Sequence, residues 1–246
     1  MYQEDFAGIY DLVYRAHRDY AREARTLREL VRDRRPGASR LLDVGCGTGE
    51  HLLRLRGDFE VAGVDLSVPM VRAARDKLGP DVPLTVGDMR SLALGTLHDV
   101  VICLYSAIGY VAGTGELRAA IGRMVDHLVP GGVLIVEPWI LRENWNGGEL
   151  ARASFDGNGF AISRMGRWTT REGRSRVDMH YLVATDDGEV RHFIDHQELC
   201  LFSLAEYEAA FASAGCAVEY LPRDYGDRGV LVGVRRDTDG DGGGED

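Results

Sequence analysis

The run Leu41-Leu42-Asp43-Val44-Gly45-Cys46-Gly47-Thr48-Gly49 constrains this chain more than any other stretch. An apolar strand runs into three glycines at alternate positions, and a helix-like segment, Glu50 to Leu55, follows at once. Glycines let a backbone turn sharply and approach a ligand with no Cβ in the way. At the end of a first strand, that is where open α/β sheets take nucleotide-like ligands.

The rest of the chain sets the loop in an alternating pattern. A short N-terminal helix carries Phe6, Ile9, Tyr10, Leu12, Val13 and Tyr14 at helical spacing, and Tyr20 to Asp33 reads as an amphipathic helix stopped by Arg35-Pro36-Gly37. Strands over Arg40–Val44, Val61–Asp65, Val82–Val86 and Val100–Leu104 alternate with helices over Glu50–Leu55, Ser67–Leu78 and Glu116–Leu128. Pro130-Gly131-Gly132 turns into a fifth strand, Val133–Glu137. Such alternation predicts an α/β fold, a doubly wound Rossmann-like parallel sheet with helices on both faces. The pattern then breaks into strand-like pieces at Phe160–Arg164, Arg176–Ala184, Val190–Ile194 and Glu198–Phe202. Ser203 and Glu206 form a capping box that opens a last helix, Gly215 ends it, and Val218–Leu221 and Val230–Val234 are closing strands. The expected organisation is a core of residues 1–138 and 203–236, a β-rich insertion, 139–202, after the fifth strand, and a disordered acidic tail, 237–246. The insertion, being least regular, is the expected seat of substrate specificity.

Charge and composition narrow the class. A net charge of −10 over 246 residues argues against a general nucleic-acid binder, whose footprint is basic, although the tail holds five of the acidic residues. Apolar runs such as Val133–Val136 are too short to span a bilayer, and the charges scattered through Met1–Tyr20 do not read as a signal peptide. A cytoplasmic protein with no membrane partner is the expectation. Cys46, Cys103, Cys200 and Cys216 have no paired spacing for zinc or redox chemistry. His192 and His196 lie on a strand-like stretch rather than forming a helical metal pair, so no metal is expected. His127 and His180 have no evident partner, and Asp99 caps or enters a strand.

Two further features choose the ligand. Asp65, at the end of the second strand, is placed to accept hydrogen bonds from a ribose diol, which fits NAD and S-adenosylmethionine alike. A dinucleotide fingerprint is Gly-x-Gly-x-x-Gly/Ala, whereas here Gly45-x-Gly47-x-Gly49 is followed by Glu50. An acid there repels a phosphate and tolerates a cofactor's ammonium group. Gly87-Asp88-Met89 adds a carboxylate for an adenine amino group and an apolar face for its ring. With Pro-Gly-Gly before the fifth strand, these landmarks, in this order, resemble the class I S-adenosylmethionine-dependent methyltransferases.

Over nearly the whole chain, to about Arg235, the sequence further resembles the antibiotic-pathway N,N-dimethyltransferases that act on dTDP-linked amino-deoxysugars, of the desosamine and mycaminose type. The resemblance rests on Met1-Tyr2, Ile9-Tyr10-Asp11, Asp19-Tyr20, Leu41–Gly49, Gly87–Arg90, Ser106–Gly109, Glu137-Pro138-Trp139, Ile162-Ser163-Arg164 and Arg228-Gly229. It implies that Tyr10 and Tyr20 hold the methionine end of S-adenosylmethionine, and that Gly45, Cys46, Gly47, Asp65, Leu66, Asp88, Met89 and Leu104 line the rest of the cofactor site. It implies that Tyr2 closes over the acceptor while Trp139, Arg164, Met165 and Arg228 contact the nucleotide-sugar. Guanidinium groups pair bidentately with a diphosphate, and thymine would lie on Trp139 as on a plate. Tyr110 stands where the macrolide-sugar enzymes have histidine; a phenol of ordinary pKa about 10 orients an amine rather than deprotonating it. Trp139-Ile140 replaces a frequent pair of tryptophans. On composition alone Tyr10 and Tyr14 would be core aromatics, and Arg164 and Arg228 surface charges.

The expected chemistry is in-line attack of the sugar amine on the cofactor's methyl carbon, driven by alignment and desolvation, with no obligatory base. A homodimer is implied by the resemblance. The alternatives are a methyltransferase for another small amine or hydroxyl acceptor, an NAD-dependent oxidoreductase, and a non-catalytic cofactor-binding partner.

Overall fold

A computed structural model describes Tyr10, Asp11, Val13 and residues 18–237 other than 158, 187, 223, 224, 226 and 227. Tyr2, the tail after Asp237 and most of the expected N-terminal helix lie outside the described residues; Tyr10, Asp11 and Val13 are helical.

Helix α1 (Tyr20–Arg34) starts where the Asp19 side chain accepts a hydrogen bond from the Arg22 amide, and it buries Tyr20, Ala24, Leu27, Leu30 and Val31 along one face. Strand β1 (Arg40–Val44), α2 (Glu50–Leu55), β2 (Glu60–Asp65), α3 (Val68–Leu78), β3 (Leu84–Val86), β4 (His98–Cys103), α4 (Thr114–Asp126) and β5 (Leu128–Val136) follow. The insertion contributes β6 (Leu150–Gly157), β7 (Phe160–Arg167), β8 (Thr169–Arg171), β9 (Arg174–Thr185) and β10 (Val190–Cys200). The chain ends with α5 (Leu204–Ser213), β11 (Cys216–Leu221) and β12 (Val230–Arg235). The Ser203–Glu206 capping box forms as the sequence predicts.

A seven-stranded sheet runs in the order β11-β12-β5-β4-β1-β2-β3, parallel from β5 to β3, with the β11–β12 pair antiparallel at the other edge. Because side chains alternate along a strand, each central strand feeds two cores. Leu42, Val44, Val101, Cys103, Leu134 and Val136 meet α4 and α5 on one face. Leu41, Val100, Ile102, Val133 and Ile135 meet α1, α2 and α3 on the other.

The structure moves several boundaries. Strand β5 starts at Leu128 rather than after Pro130-Gly131-Gly132, because those residues form a bulge inside it: His98 pairs with Leu128, yet Val100 pairs with Val133. Helix α4 accordingly stops at Asp126. Strand β3 is shorter than expected, but the Pro83 carbonyl still accepts from the Gly63 amide at 2.9 Å. The two pieces read as Val190–Ile194 and Glu198–Phe202 are one long strand, β10.

In the insertion, β10-β9-β7-β6 form an antiparallel sheet with β8 paired to β9. Strand β6 escaped the sequence reading, for its Leu150-Ala151-Arg152-Ala153-Ser154 alternates only half-buried alanines with exposed residues. The inner face of this sheet, with Ile162, Val177, Met179, Tyr181 and Val183, packs on Val13, Tyr10 and Tyr105. Its outer face shows two histidine contacts that the sequence did not reveal. His180 Nδ1 lies 3.0 Å from His192 Nε2, and His196 pairs with Asp178 at 2.6 Å. His127 is also partnered, between the Arg123 carbonyl and the Leu94 amide. Asp99 ties β4 to the start of β1 by accepting from the amides of Ser39 and Arg40 and pairing with Arg35. Among the described residues no helix is long and apolar enough to cross a membrane.

Candidate cofactor and acceptor site

The glycine loop sits at the carboxyl ends of β1 and β2. Gly45 has φ +79°, and a Cβ there would stand 2.7 Å from the Ala107 Cβ, so the loop reaches its position only with glycine. Gly45 and Cys46 amides both donate to the Val64 carbonyl, at 2.7 and 3.0 Å. Asp65 then anchors the loop: one carboxylate oxygen accepts from the Gly47 amide and the other from the Ser67 amide, each at 2.8 Å. Burial raises the Asp65 pKa in spite of those two bonds.

Beside the loop lies a cavity of about 550 Å³, within the range of small-ligand sites. One end is lined by Tyr10, Gly45, Gly47, Asp65, Leu66, Asp88, Met89 and Leu104, the set expected from sequence. Asp88 is held by Arg90, which also bridges to Glu116 and keeps the Asp88 carboxyl below its usual range. A small adjoining pocket is lined by Tyr10, Tyr20, Cys46, Asp43, His51 and Tyr105. Tyr20 is fixed there edge-on to His51, whose Nε2 is 2.9 Å from Glu23. Asp43, 2 % exposed, has its carboxyl pushed up to about 7 by burial.

Glu50 is paired on both oxygens. One of its oxygens pairs with Arg54 at 2.5 Å and the other with Lys77 at 2.6 Å. Its charge is therefore neutralised inside the protein rather than presented to an ammonium group. Lys77 also reaches Asp11 at 2.6 Å, tying the N-terminal helical turn to the glycine loop.

The other end of the cavity is lined by Tyr105, Tyr110, Trp139, Arg164, Trp168, Tyr181, Gln197 and Arg228. Arg164 projects inward from β7 opposite Tyr181, its guanidinium 5.8 Å from the Phe155 ring. Its Nε is buried with no hydrogen-bond partner among the described residues. A buried, unmet guanidinium donor is costly unless a ligand accepts from it. Arg228 stacks 4.3 Å above the Trp139 ring and donates to Ser106 Oγ at 2.8 Å.

Two sequence expectations fail here. Met165 follows Arg164 on the same strand, so alternation turns it to the outer face of the sheet, opposite His180 and 61 % exposed, away from the cavity. Trp139 lines the cavity but is only 7 % exposed, its indole donating to Ser175 Oγ and its ring packed against Arg228 and Trp168, so it presents little face to thymine. Tyr110 lines the cavity from a short 3₁₀ turn, Ala107–Tyr110. Tyr105, Trp168, Tyr181 and Gln197 were not singled out from sequence; the inward parity of β9 and β10 was the only signal for the last two.

Comparison with known proteins places this geometry. A family model described as a methyltransferase domain matches residues 41–132, from β1 through the bulge of β5. A dTDP-3-amino-3,4,6-trideoxy-alpha-D-glucopyranose N,N-dimethyltransferase from Streptomyces venezuelae is 44 % identical over 95 % of this chain and 99 % of its own. A dTDP-4-amino-2,3,4,6-tetradeoxy-D-glucose N,N-dimethyltransferase from Saccharopolyspora spinosa is 40 % identical over 96 % of this chain and 94 % of its own. Among solved structures, SAM-bound CalS10, an amino pentose methyltransferase from Micromonospora echinaspora, superposes with a TM-score of 0.86 at 37 % identity, covering 96 % of this chain and 98 % of that one. The loop, the anchored Asp65 and the full-length likeness lead to one assignment: the chain belongs to the dTDP-amino-deoxysugar N,N-dimethyltransferase family of the class I S-adenosylmethionine-dependent methyltransferases.

Proposed function

We propose that this enzyme methylates the amino nitrogen of a dTDP-linked amino-deoxysugar in antibiotic biosynthesis. The observation that carries the acceptor is the pair Arg164 and Arg228, facing one cavity with the glycine loop and Asp65. Two guanidinium groups beside a cofactor site suit a diphosphate.

The residues present fit S-adenosylmethionine. Asp65 would take the ribose hydroxyls, Asp88 and Met89 the adenine, Leu66 and Leu104 the apolar walls, and Gly45, Cys46, Gly47, Tyr10 and Tyr20 the methionine end. When bound, the cofactor supplies an electrophilic methyl on a sulfonium leaving group. The protein's share is placement and proton state. Arg164 and Arg228 hold the diphosphate, Trp139 holds Arg228 rather than thymine, and Tyr110 orients the amine. The Tyr105 phenol, pushed up to about 12 by burial, stays protonated.

In this reading the core, 1–138 with 203–236, binds cofactor, and the insertion, 139–202, binds substrate, with Tyr2 closing over the acceptor. We take it to work in the cytoplasm as a homodimer. Met165, Leu182 and Ile194, exposed on the outer sheet face, support self-association. Light scattering should return twice the 27.1 kDa chain mass; the single-chain mass at micromolar concentration would remove the dimer from the proposal. For the reaction, the enzyme is incubated with S-adenosylmethionine and a panel of 3-amino and 4-amino dTDP-deoxysugars, and products are weighed by mass spectrometry. A gain of one or two methyls on at least one member is expected, and no transfer to any member would sink the acceptor assignment.

A further inference from the structure

A single buried carboxylate, Glu137, ties together parts of the site that are far apart in sequence. It follows β5, with its amide bound to the Cys103 carbonyl at 2.9 Å and its side chain 3 % exposed. Its two oxygens accept from Arg18 Nη1 and Nη2, at 3.3 and 3.1 Å. One of them also accepts from the Tyr105 amide at 2.7 Å. Arg228 Nη1 stands 3.9 Å from the other.

Tyr105 explains why so many donors converge. It and Ser106 lie in the left-handed region, at φ 56° and 61°, where residues with a side chain are strained and persist only if their surroundings hold them. Glu137 holds the backbone from below, and the Arg18 guanidinium lies 4.3 Å from the centre of the Tyr105 ring. Arg18 is itself fixed by Glu23 at 2.5 Å. Tyr105 lines both the large cavity and the small pocket beside the glycine loop. It therefore stands where the cofactor end and the acceptor end meet.

We propose that Glu137 is a positioning residue for methyl transfer: with Arg18 it clamps the strained Tyr105-Ser106 turn, so that Tyr105 sets the distance and line between donor and acceptor. This rests on the assignment of the cavity to S-adenosylmethionine and an amino-deoxysugar. Glu137 acts through its contacts: its oxygens accept from three donors, two on Arg18 and the Tyr105 amide. The clamp acts on the transfer step, where small displacements are expensive, and hardly on the ribose and adenine contacts around Asp65 and Met89.

Glu137→Gln keeps the shape of the side chain and removes its charge. Its kcat at saturating cofactor and acceptor should fall about tenfold, the scale of a sub-ångström misplacement. Calorimetry should show the S-adenosylmethionine Kd within threefold of wild type at unchanged stoichiometry, a split that general loss of folded protein would not give. Hydrogen exchange at the Tyr105 amide, measured with no acceptor present, should be faster than in wild type. Where Glu137→Gln does not fold, Arg18→Gln takes its place with the same expected split. A kcat less than threefold below wild type, or unchanged protection at Tyr105, overturns the positioning role. A wild type that methylates no sugar overturns the acceptor assignment instead, and the Tyr105 exchange still decides the clamp.

Discussion

Replacing Asp65 with alanine is expected to raise the Kd for S-adenosylmethionine by a hundredfold or more. The carboxylate has two tasks. It holds the Gly47 and Ser67 amides at 2.8 Å each, which fixes the loop, and its remaining lone pairs face the cavity where a ribose diol would donate. Each charge-assisted hydrogen bond contributes about 1.5–3 kcal/mol, and loosening the loop adds to the loss. Losing two such bonds amounts to about 3–6 kcal/mol, and each 1.4 kcal/mol is a factor of ten in affinity. Asp65→Asn should be intermediate, since the amide oxygen keeps one acceptor and the amide nitrogen meets a backbone donor. Asp65→Ala also leaves the Gly47 and Ser67 amides without their acceptor, so some loss of apo stability accompanies the loss of affinity. Calorimetric titration measures the affinity directly. A Kd within fivefold of wild type for Asp65→Ala would mean that the ribose lies elsewhere.

The cofactor half of this site was legible because its parts are local. Glycines, strand ends and the acid that ends β2 are each defined by a few neighbouring residues, and the fold brings them together by a rule of topology. The acceptor half is not local. Arg164 comes from an insertion strand, Arg228 from the turn before β12, and Tyr105 from the end of β4; only the resemblance put the two arginines in one place. Met165 shows how far a motif can mislead when its strand period is ignored. Ile162 is buried, so Arg164 shares its face and Met165 must take the other. That much was readable from the strand alone. Trp139 could not be read in the same way, because the groups that cover it lie 29 and 89 residues further along the chain, at Trp168 and Arg228. The pairing of Glu50 is half local: Arg54 lies four residues on in the same helix, and Lys77 comes from the next one, α3. The left-handed turn at Tyr105 and Ser106 had no sequence signal at all, since neither residue type favours that conformation and the clamp that enforces it is long-range.

Arg228→Ala should have the largest effect on the acceptor. The guanidinium is stacked 4.3 Å over Trp139 and fixed by Ser106 Oγ at 2.8 Å, so its plane is set before any ligand arrives. A preorganised fork loses little entropy on binding, and a bidentate contact to a phosphate group is among the stronger polar interactions available. Loss of about 2–3 kcal/mol raises the KM for a dTDP-aminosugar by about thirty- to 150-fold. The kcat at saturating substrate should stay within a few fold, because the amine and the methyl donor are held by other groups. Arg228→Lys should recover little, since an ammonium has neither the planar fork nor the stacking face. The decisive comparison uses the free aminosugar without its nucleotide. Its transfer rate should be low and should be the same in wild type and Arg228→Ala, because the missing guanidinium has no diphosphate to meet. Equal losses for the free and the dTDP-linked sugar would show that Arg228 supports the wall of the cavity rather than the diphosphate.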